Sequence, residues 1–189
     1  MMNTHTIELT RPGRLQALPP LALYVHIPWC VRKCPYCDFN SHQAKTDLVE
    51  QAYVEALLRV LESELPHVWG RAVESIFIGG GTPSLFQASS IDHLLAGIRA
   101  RIKVQPEAEI TLEANPGTFE YERFAGYRAA GVNRLSIGVQ SFQDSYLHAL
   151  GRIHHGHEAR TALATALTLF PKVNVDLMYA LPGQTVQAA

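Results

Sequence analysis

The hydrophobic pattern of this chain switches period again and again, and each switch marks a change between strand and helix. Runs rich in strand formers fall at 21–27 (LALYVHI), 74–81 (ESIFIGGG), 108–117 (AEITLEANPG), 133–141 (NRLSIGVQS) and 172–183 (KVNVDLMYALPG). Between them apolar residues recur at helical spacing. The segment 47–65 carries Leu48, Ala52, Leu57, Val60 and Leu61 near that period, with Asp47 and Glu50 as a capping signal and Pro66 as a stop. Further helices are predicted over 89–102 with a serine cap, over 118–131 closed by Gly131, and over 157–170. The strands are apolar almost throughout, as in a parallel sheet buried on both faces and covered by helices.

The expected fold class is therefore α/β, a parallel (β/α) partial barrel of the TIM type with about five βα units. A full eight-fold barrel takes about 250 residues, more than the 189 here. Either the barrel is partial or the chain is a piece of a longer one. The expected division is an N-terminal arm over 1–20 and a core over 21–189. An open sheet edge after the fifth strand predicts poor solubility or self-association.

Composition narrows the class. The chain is 47% hydrophobic and 17% charged with a net charge of −1, enough for a substantial core and without the electrostatic footprint of a nucleic-acid binder. No apolar run approaches the ~20 residues that span a bilayer. The first twenty residues lack the apolar centre of a secretory signal. A cytoplasmic protein with functional thiols is expected, because three cysteines, an odd number, make no disulfide framework.

Unusual polar and glycine positions collect at one end of every strand. Cys30, Cys34 and Cys37 follow the first; Gly79, Gly80, Gly81, Thr82 and Pro83 follow the second. Glu113 and Asn115 end the third, Gln140 and Ser141 the fourth, Asp176 and Tyr179 the fifth. In parallel α/β architectures ligands bind at the carboxyl ends of strands.

All three cysteines lie in HIPWCVRKCPYCDF (26–39), spaced Cys30-x3-Cys34-x2-Cys37. A redox pair at Cys34 and Cys37 needs a helix N-terminus at the pair to activate the first thiol, yet DFNSHQAKT follows, and Cys30 would have no role. A structural zinc site needs four ligands, which His42 could complete. An iron–sulfur cluster uses every feature: a four-iron cubane ordinarily takes four thiolates, and three leave one iron open to an exogenous ligand.

A Cys-x3-Cys-x2-Cys loop after the first strand of a parallel α/β barrel resembles the radical S-adenosylmethionine (SAM) superfamily. That resemblance implies a 4Fe-4S cluster whose open iron chelates the amino and carboxylate groups of SAM. One-electron reduction then yields methionine and a 5′-deoxyadenosyl radical. In that setting the three glycines resemble the family's glycine motif beside the SAM amino group, or else form a tight strand-to-helix turn. Glu113 and Asp176, carboxylates at apolar strand ends, need a partner. It is either the ligand or an ion pair with Arg134 or Arg152. Gln140 has adenosine or ribose as a partner, and Ser141 has the alternative of capping the next helix.

LYVHIPWCVRKCPYCDFNSH, FIGGGTPSL, LEANPG, NRLSIGVQSF, LGRIH and DLMYALPGQT together resemble the oxygen-independent coproporphyrinogen III oxidase family. They match best its HemW branch, regarded as haem chaperones. The resemblance puts Cys30, Cys34 and Cys37 on the cluster ligands. It puts Tyr24, Tyr36, Gly80, Gly81, Thr82, Glu113, Gln140, Arg152 and Asp176 on SAM contacts. Implied partners are haem or porphyrin and an electron donor such as flavodoxin or ferredoxin, with no nucleic acid.

Phe39 stands where the porphyrinogen-oxidising branch has a further cysteine. This disfavours oxidative decarboxylation of coproporphyrinogen III, the alternative function. A third reading is a cluster- or haem-binding chaperone that holds SAM without turnover. Family members are longer, and the resemblance implies a sixth strand and a C-terminal domain with the chaperone branch's haem-binding motif, both expected to lie outside these 189 residues. His154, His155 and His157 are local haem-iron candidates, although histidines in a polar loop are more often simply solvated.

Overall fold

A computed structural model describes residues 17–44, 48–117 and 120–189. Most of the expected arm, the Asp47 cap and the first two residues of the helix predicted from 118 lie outside the described residues. Five parallel strands form one sheet in the order β1 (Leu21–Ile27), β4 (Val73–Gly80), β5 (Val104–Ala114), β6 (Arg134–Gln140) and β7 (Lys172–Leu177). Each strand pairs with the next one in the chain, which is the order of a partial (β/α) barrel. The helices α1 (Glu50–Glu64), α2 (Ala88–Arg101), α3 (Glu120–Ala130) and α5 (Gly156–Leu169) pack on one another in chain order as an outer layer.

One apolar cluster joins the two layers. Ile76, Ile78, Leu112, Leu135 and Ile137 from the sheet meet Leu58, Leu94, Leu95, Ile98 and Ala166 from the helices. The fully buried Tyr127 of α3 donates its hydroxyl to the carbonyls of Ser84 and Phe86, at 2.9 and 2.8 Å. Burial pushes its phenol up to about 12, so it stays protonated and keeps donating. This pins the turn that follows the glycines to the helix layer.

The predicted strands and helices are present, with local differences that have physical causes. α2 has no serine cap: Gln87 precedes it without a side-chain cap bond, and the carboxylate of Glu50 accepts from the Gln87 amide at 2.8 Å instead. Gly131, at φ 107°, closes α3 as expected. β7 is shorter than predicted, stopping at Leu177, and it is not buried on both faces. Val175 and Leu177 are 36% and 58% exposed, because no strand lies beyond β7 among the described residues. Three elements carry too little pattern to be foreseen. They are the six-residue helix α4 (Asp144–Ala149), with Leu147 its one buried residue, and the two-residue strands β2 (Trp29–Cys30) and β3 (His42–Gln43).

Candidate cofactor site

The short strands β2 and β3 shape the cysteine loop. They pair in parallel, Trp29 with His42 and Cys30 with Gln43, so the loop's two ends are stapled together. His42 N donates to Pro28 O at 2.7 Å, and Ala44 N to Cys30 O at 2.9 Å. Inside the loop, Cys37 N donates to Cys34 O at 3.1 Å, closing a turn. The Lys33 ammonium donates to the carbonyls of Phe39 and Ser41. Trp29 anchors the base by packing edge-on to Tyr53.

No disulfide joins the thiols; Cys30 is buried, and Cys34 and Cys37 are half-buried. No helix starts at Cys34: the next begins at Glu50. The redox-pair reading therefore lacks the helix terminus it needs. Nor do any three His, Cys, Asp or Glu side chains among the described residues converge on a single ion position, and His42 is exposed. The zinc reading has no geometry in its favour. A cubane, by contrast, takes each thiolate at a different iron.

The glycine loop is built against the cysteine loop. Gly81 N donates to Ile27 O and Thr82 N to Trp29 O, at 2.8 and 2.7 Å. A Cβ on Gly81 would stand 2.6 Å from Trp29 O and 2.7 Å from Pro28 C. Gly80 has φ 118°, and a Cβ there would meet the His26 ring at 2.6 Å. These glycines make room for the chain's own backbone and rings as well as for a strand-end turn. Close approach to a ligand is not the whole reason for them.

The carboxylates point into the same region, without ion-pair partners among the described residues. Glu113 Oε2 accepts from the Gly80 amide at 3.0 Å. Burial raises its carboxyl above the ordinary range; the Gly80 bond offsets part of this, Asp176 raises it further and His26 lowers it. Asp176 accepts from Ser136 Oγ at 3.3 Å and from Asn174 Nδ2 at 2.7 Å.

The alternative of an ion pair with Arg134 or Arg152 is overturned. Arg134 sits at the opposite end of β6, near Glu109 and Thr111. Arg152 is engaged elsewhere: Nη2 donates to Asn115 Oδ1 and Gly138 O, both at 2.6 Å, and Nη1 lies 3.7 Å from Cys34 Sγ. Its Nε is buried with no partner among the described residues.

A cavity of about 130 Å³ connects these groups. All three cysteines and eight of the nine expected SAM contacts line it; Tyr24 does not. Tyr24 is 56% exposed and donates its hydroxyl to His26 Nδ1, whose Nε2 donates to Asn40 O. Phe39 also lines the cavity. Ser141 caps no helix directly; its Oγ accepts from Gln143 N in the turn before α4.

His26, Ser136 and Asn174 went unforeseen. The signal was a polar residue inside an apolar strand: His26 two positions from Tyr24, Asn174 two from Asp176, and Ser136 four from Gln140. His154, His155 and His157 do not line the cavity. His154 is buried, and His155 serves in the capping box of α5.

The donor set fits a thiolate-bound cluster with a charged small molecule beside it. Three free thiols, a desolvated carboxylate and a guanidinium with an orphaned N–H face one cavity.

The sequence matches the radical SAM superfamily over residues 24–188. It is 54% identical to the heme chaperone HemW of Haemophilus influenzae over 177 residues, covering 91% of this chain and 46% of that one. HemW of Escherichia coli is also 54% identical, over 174 residues and 46% of its length. This chain thus spans just under half the length of these relatives. Among solved structures, coproporphyrinogen III oxidase (HemN) from Escherichia coli superposes with a TM-score of 0.75 at 33% identity, over 89% of this chain and 39% of that one. The chain belongs to the radical SAM superfamily, on its HemN-like, HemW branch.

Proposed function

We propose that this chain is the cluster- and SAM-binding core of a haem chaperone of the HemW type. Membership of the superfamily implies a 4Fe-4S cluster and SAM. The observation that carries the reading is the single cavity shared by three free thiols, Glu113, Gln140, Arg152 and Asp176. Cys30, Cys34 and Cys37 hold the cluster as thiolates, leaving one iron for SAM. When bound, the reduced cluster and SAM together supply one-electron chemistry at the sulfonium.

The chain's own residues orient and desolvate this pair. Glu113 and Asp176 offer negative charge to a sulfonium, ammonium or ribose hydroxyl. Arg152 offers a guanidinium to a carboxylate, and Gln140 an amide to the nucleoside. Tyr36, Gly80, Gly81 and Thr82 complete the SAM contacts within the cavity, and Tyr24, the ninth expected contact, stands outside it. The core runs over 21–189, preceded by the arm over 1–20. Haem is the cargo, and a flavodoxin or ferredoxin supplies electrons in the cytoplasm. No helix among the described residues is long and apolar enough to cross a membrane. Phe39 on the cavity wall brings no fourth thiol, which favours the chaperone over the porphyrinogen oxidase.

The test is the electron paramagnetic resonance spectrum of anaerobically reconstituted, dithionite-reduced protein, with and without SAM. A four-iron signal that shifts on adding SAM is expected. No iron signal, or one indifferent to SAM, sinks the reading. Formation of 5′-deoxyadenosine under the same conditions separates turnover from SAM binding alone. Haem titration of the same sample tests the cargo.

A further inference from the structure

Gln140 has a backbone φ of 67°, in the left-handed region that residues with a Cβ seldom enter. It closes β6 at a register break: Gly138 pairs with Asp176 and Gln140 with Leu177, leaving Val139 unpaired, as in a bulge. Ser141 N donates to Val139 O at 2.9 Å, so Gln140 is the middle residue of a γ-turn of the strained, positive-φ kind. Strain of this sort persists only where the surroundings enforce it.

Three successive carbonyls are held at this point. Arg152 Nη2 donates to Gly138 O at 2.6 Å. His154 Nε2 donates to Val139 O at 3.2 Å, and Met178 N donates to Gln140 O at 2.9 Å. The Gln140 amide folds back over Gly138, where a Cβ would stand 3.1 Å from its Nε2 and 2.9 Å from Asn115 Oδ1. The same Gln140 lines the cysteine cavity.

The His154 side chain makes no other hydrogen bond among the described residues. It is 4% exposed, it does not line the cavity, and its Nδ1 is buried without a partner among those residues. A carbonyl only accepts, so Nε2 must carry the proton. Burial, first, and the nearby Arg152 push the ring down to about 4 and keep it neutral. Leaving Nδ1 unsatisfied carries a desolvation penalty that an apolar residue of the same size would avoid. Simple filling of the core does not account for a histidine here.

We infer that His154 is a positioning residue: through the Val139 carbonyl it holds Gln140 in the left-handed turn that aims its amide into the cofactor cavity. The Gly151–His154 segment thereby links two parts of the site. Its start touches the cysteine loop, where a Cβ on Gly151 would meet Pro35 at 2.9 Å. Its end fixes the end of β6. The functional side of this inference rests on Gln140 being a SAM contact.

The test uses reconstituted protein carrying His154→Phe, which keeps the ring's bulk and removes the N–H, and His154→Gln, whose amide reaches toward the position of Nε2. Iron content and the cluster signal without SAM should match wild type in both. SAM affinity, read from the SAM-induced spectral shift, should fall roughly tenfold or more in H154F, as for other outer-shell partners, and recover in H154Q. In a Gln140→Gly background, where positive φ costs nothing, H154F should weaken SAM binding no further. Crystal structures should show Gln140 leaving positive φ in H154F alone.

Unchanged SAM affinity in H154F overturns the inference, and so does an equal loss in the Q140G background. If H154F does not fold, His154→Asn, too short to reach Val139, replaces it with the same expectations. If wild type itself ignores SAM, the SAM reading has failed, and the crystallographic φ of Gln140 decides the clamp by itself.

Discussion

The guanidinium of Arg152 reaches the sulfur of Cys34, 118 residues away in sequence, with Nη1 3.7 Å from Sγ. Its other terminal nitrogen binds Asn115 Oδ1 and Gly138 O. One side chain therefore ties the cysteine loop to the ends of β5 and β6. A planar fork makes these contacts together; a lysine ammonium is a point charge and does not reproduce them. Removing the guanidinium also leaves two acceptors without their donor, each loss costing about 1–3 kcal/mol.

Arg152→Ala is accordingly expected to lower Tm and to shed iron faster when the reduced protein is exposed to a chelator. Arg152→Lys should fall closer to R152A than to wild type in both measurements. A lysine variant that retains iron like wild type would mean that charge alone suffices.

The cysteines give the sharpest separation between cluster and redox readings. Cys30→Ala, Cys34→Ala and Cys37→Ala should each remove most of the bound iron and the reduced four-iron signal. A thiol pair at Cys34 and Cys37 would instead tolerate loss of Cys30. Iron per chain and thiol–disulfide exchange activity, measured on the same three variants, decide between them.

Much of this site was legible because barrel strands end where ligands bind. The strand ends at Glu113, Gln140 and Asp176 could be read from apolar runs breaking into polar residues, and the cysteine spacing was plain. What the sequence hid were contacts between loops. Gly81 makes room for the Pro28–Trp29 backbone, a steric relation that no local pattern encodes. Of the two alternatives left open for Glu113 and Asp176, the ion pair with Arg152 rested on charge complementarity alone. The fold instead offers Arg152 an amide oxygen, a carbonyl and a sulfur. β2 and β3 hold two residues each, too few to carry a period of two.

Glu113 should show opposite effects on stability and on binding. Burial raises its carboxyl above the ordinary 4.5, so the folded protein holds that proton more tightly than the unfolded chain does. The group's contribution to stability is therefore full below 4.5 and is lost as pH rises through the raised value. Glu113→Gln removes this pH-dependent penalty and still accepts from the Gly80 amide. Thermal unfolding should find E113Q more stable than wild type at neutral pH, with the difference vanishing below 4.5. SAM affinity should fall, since a cation loses its counter-charge. An E113Q protein less stable at neutral pH would show that the charged form is stabilised by its surroundings.

Gly81→Ala tests the docking of the glycine loop on the cysteine loop. Its new methyl meets backbone atoms at 2.6 and 2.7 Å, which no rotamer change relieves. Overpacking of this kind costs roughly 1–3 kcal/mol. The Tm of the metal-free protein should drop, and iron uptake should fall with it because Trp29 leads directly into Cys30. Normal stability with normal iron would show that the two loops separate at little cost.

The last expectation concerns β7. Its outer edge pairs with no strand among the described residues, and Val175 and Leu177 on it and Tyr179 just after it are 36%, 58% and 82% exposed. The polar residues Asn174 and Asp176 on this strand bond to one another and to Ser136, so they do little to repel a second strand. Exposed, apolar edges of this kind recruit other chains. The 189-residue chain should elute from gel filtration as dimers or larger species in proportion to its concentration. Leu177→Lys, which places a charge on the edge, should move it toward monomer without altering the cluster signal, because Leu177 does not line the cysteine cavity. A sharp monomeric peak from the unmodified chain at high concentration would show that this edge does not drive association.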